Sequence, residues 1–443
     1  MATTLPLVTR VRSGISWNVS SSVVNQLIGF LRSITLARLL VPEDFGLFTM
    51  ALTLVVAANA VTTTGLDRTI IASEFETREH LNRNLDTVWS AELIRGFVVA
   101  LLVSLSAFPM ARFYGQPQLK LIIPVLACTS LVQGFQNIGL VLLKKEISFG
   151  RIFWFDFATT VAGVTFTVAL AVVLRNVWAL IFGMLFATTI ATVLSYAFHP
   201  YRPRVRFDQV ALTEALHFGK FAIVFAVAAY VSNVADNVMV GRFLGTAALG
   251  NYSLAFNIAS APIVIVVFSI NAVLLPAYAE LKTQNPPMLG RAFMTAFNAT
   301  LVVTLAIAIP VFFVADDVVR ILFGTRWTTA GSVLRILSLV IPLRALSLVS
   351  STIFWSAKRP RDVAILRSLD AAVFLVALYP LISMAGLTGV AWAGLIMYGF
   401  ACVTRAIAVH KIIPTITFKL LRNLLAAFVF LAAVVLVRAL LTR

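Results

Sequence analysis

Residues 14–51 read GISWNVSSSVVNQLIGFLRSITLARLLVPEDFGLFTMA, which begins as a membrane-length apolar helix carrying a polar stripe. The steps of four, three, four and three between Asn18, Ser22, Asn25, Gly29 and Arg32 put these residues on one helix face. A lipid-facing arginine near a helix centre costs roughly 2.5–3.5 kcal/mol, so we expect this face to line the protein interior or a water-filled cavity. The alternative is a helix whose small polar residues only pack against other helices.

The composition describes a chain that lies mostly within a membrane. Hydrophobic residues make up 60% of the 443 residues and charged residues 12%, and the mean hydropathy is +0.96, which excludes a soluble domain. Most basic residues fall in short loops, so the net charge of +17 indicates membrane orientation rather than nucleic-acid binding. We expect no metal, no cofactor and no enzyme activity, because the sequence has no ligand spacing, P-loop or catalytic motif.

Apolar runs of about 20 residues predict about thirteen transmembrane helices. They lie near residues 14–38, 44–66, 86–110, 119–143, 151–174, 177–198, 217–242, 247–275, 291–315, 330–356, 362–384, 387–410 and 418–441. Loops rich in lysine and arginine alternate with poorer ones along this series. The positive-inside rule therefore predicts a cytoplasmic N-terminus.

An internal repeat links the opening stretch to the middle of the chain. ARLLVPEDFGLFTMA at 37–51 aligns without a gap on GRFLGTAALGNYSLA at 241–255, which pairs Gly46 with Gly250. A second block, 143–156, aligns on 357–370. Both blocks join spans that are six apart, which favours two lobes of the same orientation over chance similarity between apolar helices.

The predicted fold is an all-α polytopic membrane protein with two six-helix lobes in parallel repeat and about one additional C-terminal helix. We expect an N-terminal lobe at 1–198 and a C-terminal lobe at 213–411. The segment 199–212, with two prolines and three arginines, would be a cytoplasmic linker between them. Residues 412–443 would form the additional helix.

Charged residues inside the predicted spans are candidates for function, because each is costly unless it is paired, snorkels or faces water. Arg344 has no acid within helical reach, which favours a cavity. Arg95 is three residues after Glu92, and Asp370 three after Arg367, so each could be neutralised locally. Arg405 is expected to snorkel. The carboxylates considered for ion coupling or gating are Asp156, Asp236 and Asp370. The second block of the repeat pairs Asp156 with Asp370.

Polar amides form two further groups on predicted helices. Gln133, Gln136 and Asn137 would share one face of the fourth span, and Asn233 and Asn237 flank Asp236 on the seventh. Amide side chains facing a cavity suit hydroxyl-rich ligands such as sugars, whereas packing roles more often use smaller residues.

The chain also resembles a known family, the Wzx-type polysaccharide exporters of the multidrug/oligosaccharidyl-lipid/polysaccharide superfamily. The resemblance rests on ARLLVPEDFGLFTMA at 37–51, on DNVMVGRFLGTAALGNYSLAFNIASAP at 236–262 and on ILFGTRWTTA at 321–330. It implies a bacterial inner-membrane flippase that moves an undecaprenyl-diphosphate-linked oligosaccharide outward by alternating access. Polysaccharide polymerase and chain-length proteins would be possible partners.

On this interpretation Arg32, Arg344 and Arg95 attract the lipid diphosphate, and the amides Asn18, Asn25, Gln133, Gln136, Asn137, Asn233 and Asn237 contact the glycan. One alternative is a cation-coupled drug or metabolite exporter of the same fold, in which acids rather than arginines should dominate the cavity. Another is a membrane glycan polymerase or ligase, which usually needs a long extracytoplasmic loop. Arg32 also aligns with Asp236 at the first repeat offset, so the two could form a charge pair that closes an outer gate; otherwise local neighbours satisfy Asp236.

Overall fold

The computed structural model describes residues 7–62, 70, 77–146, 148–206 and 234–441, and these are almost entirely α-helical, with no strand among them. The helices are α1 (Leu7–Leu39), α2 (Pro42–Thr62), α3 (Arg78–Tyr114), α4 (Leu119–Gly134), α5 (Leu140–Lys145), α6 (Phe149–Leu174), α7 (Trp178–Phe198), α8 (234–243), α9 (Gly245–Gln284), α10 (Pro286–Phe323), α11 (Thr328–Ser356), α12 (Pro360–Val409) and α13 (Thr417–Leu441).

The all-α polytopic fold predicted from the sequence is confirmed. Eight helices within the described residues are long and apolar enough to cross a membrane: α2, α3, α6, α7, α10, α11, α12 and α13. Two predicted spans, 362–384 and 387–410, lie together in α12. Gly386 breaks this helix with φ 57° and ψ −131°, a conformation that glycine adopts without a steric penalty, so the predicted boundary is correct.

The fourth predicted span is not continuous. Helix α4 ends at Gly134, and residues 135–139 form turns before the short α5 begins. Asn137 stabilises this break, because its Oδ1 accepts a hydrogen bond from the N–H of Gly139 at 2.9 Å. Gln136 and Asn137 therefore do not share a helix face with Gln133, as the spacing had predicted.

The turn between α1 and α2 recurs at the repeat offset. Helix α1 ends at Leu39 and α2 begins at Pro42, while α8 ends at residue 243 and α9 begins at Gly245. The repeat pairs two glycines, Gly46 and Gly250. Each of them lies close to the turn in the other copy of the repeat. A side chain on Gly46 would collide with the backbone of Thr246, and one on Gly250 with the backbone of Pro42. This reciprocity agrees with the repeat read from the sequence.

The chain divides into two compact units, which are considered separately. The first contains the described residues up to 206 together with Gly245–Gly250. The close approaches of Gly46 to Thr246 and of Gly250 to Pro42, which we call the glycine crossing, therefore lie within this unit. The second contains residues 234–244 and the described residues from Asn251 onward. In the first unit α4 packs closely on α3, since a side chain on Gly96 would meet the carbonyl oxygen of Ser130 at 2.6 Å.

Candidate functional site

A cavity of about 450 Å³ in the first unit brings several predicted site residues together. The predicted candidates that line it are Arg95, Gln133, Gln136, Asn137 and Asp156. They come from α3, the end of α4, the turns after it, and α6. Trp89, Glu92 and Lys144 complete its polar and aromatic wall.

Arg95 is fixed on one side of this cavity. Its guanidinium pairs with Glu92 at 2.7 Å, as the spacing predicted, and its Nη1 donates to Asn59 Oδ1 at 2.9 Å. Asn59 in turn donates to Ser130 Oγ at 2.9 Å. This chain of polar contacts ties α2, α3 and α4 together and keeps the charged pair at the cavity wall.

The three predicted amides of this region differ in what they contact. The side chains of Gln133 and Gln136 have no hydrogen-bond partner among the described residues and are free to meet a ligand. Asn137 is 1% exposed and donates to the carbonyl oxygens of His199 and Tyr201 at 3.3 and 2.8 Å. Its amide therefore holds the chain that follows α7.

Residues 199–206, the described part of the predicted linker, run in extended form along α3 and are held by buried polar side chains. Asp86 accepts hydrogen bonds from the Tyr201 hydroxyl and from the N–H of Arg204, and Ser90 accepts from the N–H of Arg206 at 3.0 Å. Burial lowers the pKa of His199, which favours the neutral ring whose Nδ1 accepts from the N–H of Tyr201 at 3.2 Å. This part of the linker is fastened to the first unit.

A second cavity of the first unit, about 390 Å³, contains Arg32. Phe48 of α2, Thr159 and Thr160 of α6 and several α7 residues line the same space. No described residue pairs with the Arg32 guanidinium, and its helix neighbour Leu31 is 63% exposed on the other face. Of the polar face of α1, Arg32 lines this cavity.

The two asparagines of this stripe, Asn18 and Asn25, give less support for a cavity along α1. Asn25 donates to Ser21 Oγ at 3.2 Å, and its buried Oδ1 has no hydrogen-bond partner. The side chain of Asn18 lies outside the described part of the structure. The cavity role of both asparagines stays a prediction.

Arg344 lies in the second unit, on α11, in an aromatic setting. Its guanidinium is 5.1 Å from the ring centre of Phe256 and 5.8 Å from that of Tyr398, and its Nη1 donates to Ser260 Oγ at 2.9 Å. No acid lies within 4 Å of this guanidinium among the described residues, but Asp236 is near enough to interact with it electrostatically. The rings orient the guanidinium through cation–π contacts and leave its other donors available to an anion.

Asp370 has a different partner from the one predicted. It pairs with Arg405, whose Nη1 and Nη2 lie 3.1 and 2.7 Å from its two oxygens, and not with Arg367. Arg405 is 1% exposed, so the prediction that it snorkels is wrong. The two halves of α12 bring these residues together, and two parallel charge-assisted hydrogen bonds fix the pair.

Asp236 is also satisfied within the second unit. Its Oδ2 accepts from the Tyr252 hydroxyl at 2.6 Å and its Oδ1 from the N–H of Asn237 at 2.8 Å. The contact with Asn237 corresponds to the alternative that helix neighbours or Asn233 satisfy Asp236, whereas Tyr252 lies on the next helix, α9. Asn233 lies outside the described residues, and the pairing of Asp236 with Arg32, which would join the two units, stays a prediction.

The charges around the first cavity balance. Glu92 and Asp156 oppose Arg95 and Lys144, while Gln133 and Gln136 offer neutral donors and acceptors. Such a wall suits a neutral ligand that has many hydroxyl groups better than a diphosphate. Sequence reasoning missed Trp89, Lys144 and the rings around Arg344, because their partners are distant in the chain. The single local signal was the i, i+4 spacing of Phe256 and Ser260 on α9.

Comparison with known proteins gives relatives along most of the chain. The lipopolysaccharide biosynthesis protein WzxC of Escherichia coli is 25% identical over 335 residues, which are 75% of this chain and 67% of that protein. The teichuronic acid biosynthesis protein TuaB of Bacillus subtilis is 23% identical over 394 residues, 88% of this chain and 80% of that protein.

A solved structure of the lipid II flippase MurJ, in an inward closed conformation, has the same fold. It superposes with a TM-score of 0.74 at 13% identity, covering 95% of this chain and 93% of that one. The family model for polysaccharide biosynthesis proteins matches residues 35–331. With two thirds of its length matched, this multi-pass membrane chain belongs to the polysaccharide biosynthesis protein family.

Proposed function

We propose that the chain is a flippase that moves a polyprenyl-diphosphate-linked oligosaccharide across the bacterial inner membrane by alternating access, for polysaccharide biosynthesis. It acts as a transporter and not as an enzyme. Its N-terminus is cytoplasmic, and polysaccharide polymerase and chain-length proteins are its potential partners. The family, the fold and relatives named for lipopolysaccharide and teichuronic acid biosynthesis support this proposal.

The observation that carries the proposal is the charge-balanced cavity of the first unit. At about 450 Å³ it falls within the range of small-molecule sites, about 300–1,000 Å³. Planar polar side chains such as Gln133, Gln136 and Asp156 can bond neighbouring sugar hydroxyls. We assign part of the glycan to this cavity. A drug exporter would more often present an apolar pocket.

The anionic part of the substrate needs a different setting. Arg344 offers a guanidinium that aromatic rings hold in place and that has donors to spare. A guanidinium binds phosphate oxygens through two parallel hydrogen bonds, whereas a lysine provides only a point charge. We therefore assign the diphosphate to Arg344 in the second unit, and keep Arg32 as a further candidate.

Complementation of a deletion strain tests both assignments. Without the gene, lipid-linked oligosaccharide should accumulate on the cytoplasmic leaflet while its synthesis continues. Arg344→Ala should lower export about tenfold or more, since charge-assisted hydrogen bonds contribute about 1.5–3 kcal/mol. Arg344→Lys should retain part of the export, because a charge remains.

The matched control is Arg320→Ala, which removes an exposed arginine of the same unit that pairs with Asp317. It should export normally. Each variant is compared at equal amounts of protein in the membrane. Normal export by Arg344→Ala would remove the diphosphate assignment, and normal surface glycan in the deletion strain, with no second flippase present, would overturn the function.

A further inference from the structure

The two carboxylates that the second repeat block pairs, Asp156 and Asp370, lie in opposite electrostatic surroundings. Asp370 is 1% exposed and both of its oxygens accept from Arg405, which is equally buried. The side chain of Asp156 is only half-buried, and it lines the 450 Å³ cavity. Two residues that the repeat pairs therefore differ in burial and in partners.

Further hydrogen bonds hold Arg405 beside Asp370. Its Nε donates to Ser351 Oγ at 3.0 Å, and its Nη1 also donates to the carbonyl oxygen of Ala401 at 3.2 Å. A guanidinium does not lose its proton in proteins, so its charge is permanent. The guanidinium of Arg405 is also covalently attached to the chain. Asp370 therefore has a counter-ion that cannot exchange with solvent.

Among the described residues, no arginine is paired with Asp156. Helix α7, which packs on α6, contains no charged residue from Trp178 to Phe198. On α3, Arg95 is already paired with Glu92 and bonded to Asn59. On α5, the exposed Lys144 interacts electrostatically with Asp156 but forms no ion pair with it.

The other charged side chains of this region that the structure describes form no ion pair with Asp156. On α1, Arg32 lines the other cavity, beside Thr159 and Thr160. On α6 itself, Arg151 is exposed. Among the described residues the Asp156 carboxylate has no hydrogen bond and no ion pair within 4 Å.

An ionised carboxylate inside a membrane protein is expensive unless it has a partner. Asp370 has Arg405, and Asp236 has the Tyr252 hydroxyl and a backbone N–H. Asp156 has access to a cavity and, among the described residues, no hydrogen-bonded or ion-paired partner. A proton or a small cation that enters from the cavity can satisfy it and leave again.

We propose that Asp156 is the exchangeable cation site of this protein, taking up a proton or a small monovalent cation, whereas Arg405 is a built-in counter-ion that keeps the matched Asp370 site permanently filled. The role of this site in transport rests on the proposed function, whereas cation binding by Asp156 does not. Cation binding changes the balanced charge of the cavity that we assign to the glycan. Cation and substrate are thus coupled through one space in the first unit.

Carbodiimide labelling of the full-length protein in membranes tests this assignment. Dicyclohexylcarbodiimide adds to protonated carboxyl groups in apolar surroundings, and mass spectrometry of peptides locates the adduct. Asp156 should be labelled, more at acidic than at alkaline pH, while Asp370 should remain unlabelled. Arg405→Gln should make Asp370 reactive, whereas Arg405→Lys, which keeps a charge, should leave it protected.

A comparison of labelling in sodium chloride and in choline chloride identifies the cation. If sodium chloride protects Asp156 and choline chloride does not, the site takes sodium; equal labelling in both salts means that it takes protons. Labelling of wild-type Asp370 to the same extent as Asp156, preferential labelling of Asp236, or no labelling of Asp156 at any pH would overturn the proposal.

Export assays give an independent readout. Asp156→Asn should abolish the dependence of export on pH or sodium, while Asp370→Asn combined with Arg405→Gln should keep that dependence. If the double variant also loses it, the proposal is wrong. Labelling needs no glycan, so the expected pattern with no export would refute the flippase function and leave the cation site standing.

Discussion

At the residue scale, the charges of this chain find partners that sequence spacing does not reveal. Glu92 and Arg95 are neighbours on one helix and were predicted correctly. Arg405 is 35 residues from Asp370 and reaches it only because α12 folds back at Gly386. Local spacing suggested Arg367, since the i, i+3 rule considers one helix surface and cannot see an antiparallel neighbour.

The Asp370–Arg405 pair should be strongly coupled in stability. Arg405→Ala leaves a buried unpaired carboxylate, and removal of one member of such a pair costs about 3–5 kcal/mol. Replacing both residues, with Asp370→Leu and Arg405→Met, should recover much of that loss, because neither apolar side chain leaves a buried charge. Thermal unfolding of the purified protein in detergent measures both effects.

The control for this prediction is the exposed Asp317–Arg320 pair, whose side chains are 58% and 63% accessible. Arg320→Ala should change the stability by no more than about 1 kcal/mol, as exposed ion pairs do. An Arg405→Ala protein as stable as the Arg320→Ala protein would contradict the account of the buried pair.

At the element scale, the sequence predicted which segments are helical. It did not predict the break in the fourth span or the close crossing of the turns before α2 and α9. Apolar length fixes most spans, and glycine marks the end of the first half of α12. The early end of α4 at Gly134 was missed, because the contacts that stabilise it come from distant backbone atoms around Asn137. The break lies in QGFQNIG at 133–139, whose glycines and amides are compatible with a turn, but their spacing was interpreted as the polar face of one continuous helix.

The glycine crossing at the turns before α2 and α9 gives a test at this scale. Gly46→Ala and Gly250→Ala should each lower the melting temperature, since the added methyl group meets backbone that cannot move alone; overpacking of this kind costs about 1–3 kcal/mol. Gly29→Ala and Gly394→Ala are matched controls, because no atom lies within 4 Å of the added carbon. They should be neutral or slightly stabilising.

Melting in detergent separates the two classes of variant. If Gly46→Ala and Gly250→Ala melt at or above the temperature of the wild type, the close approach is not a requirement of the fold. A loss for only one of them would contradict the reciprocity that the repeat predicts.

At the scale of the whole molecule, composition and repeat were sufficient for the all-α polytopic fold, and the resemblance predicted the family. The site was predicted in part. Spacing identified Arg95, Gln133, Gln136 and Asp156 as candidates but could not show that they line one cavity, because five separate segments build it. Spacing assigned Asp370 to Arg367, whereas the arginine that pairs with it in the structure, Arg405, is distant in the chain.

The central claim is that this chain carries a lipid-linked oligosaccharide from one leaflet to the other. Its most direct test is reconstitution of the purified protein in vesicles that contain a polyprenyl-diphosphate-linked oligosaccharide in both leaflets. A glycan-cleaving enzyme added outside reports how much of the substrate is reachable. The wild type should make the inner-leaflet pool accessible, and Arg344→Ala should do so far more slowly. An inner pool that stays protected, in vesicles whose protein is folded, would contradict the account.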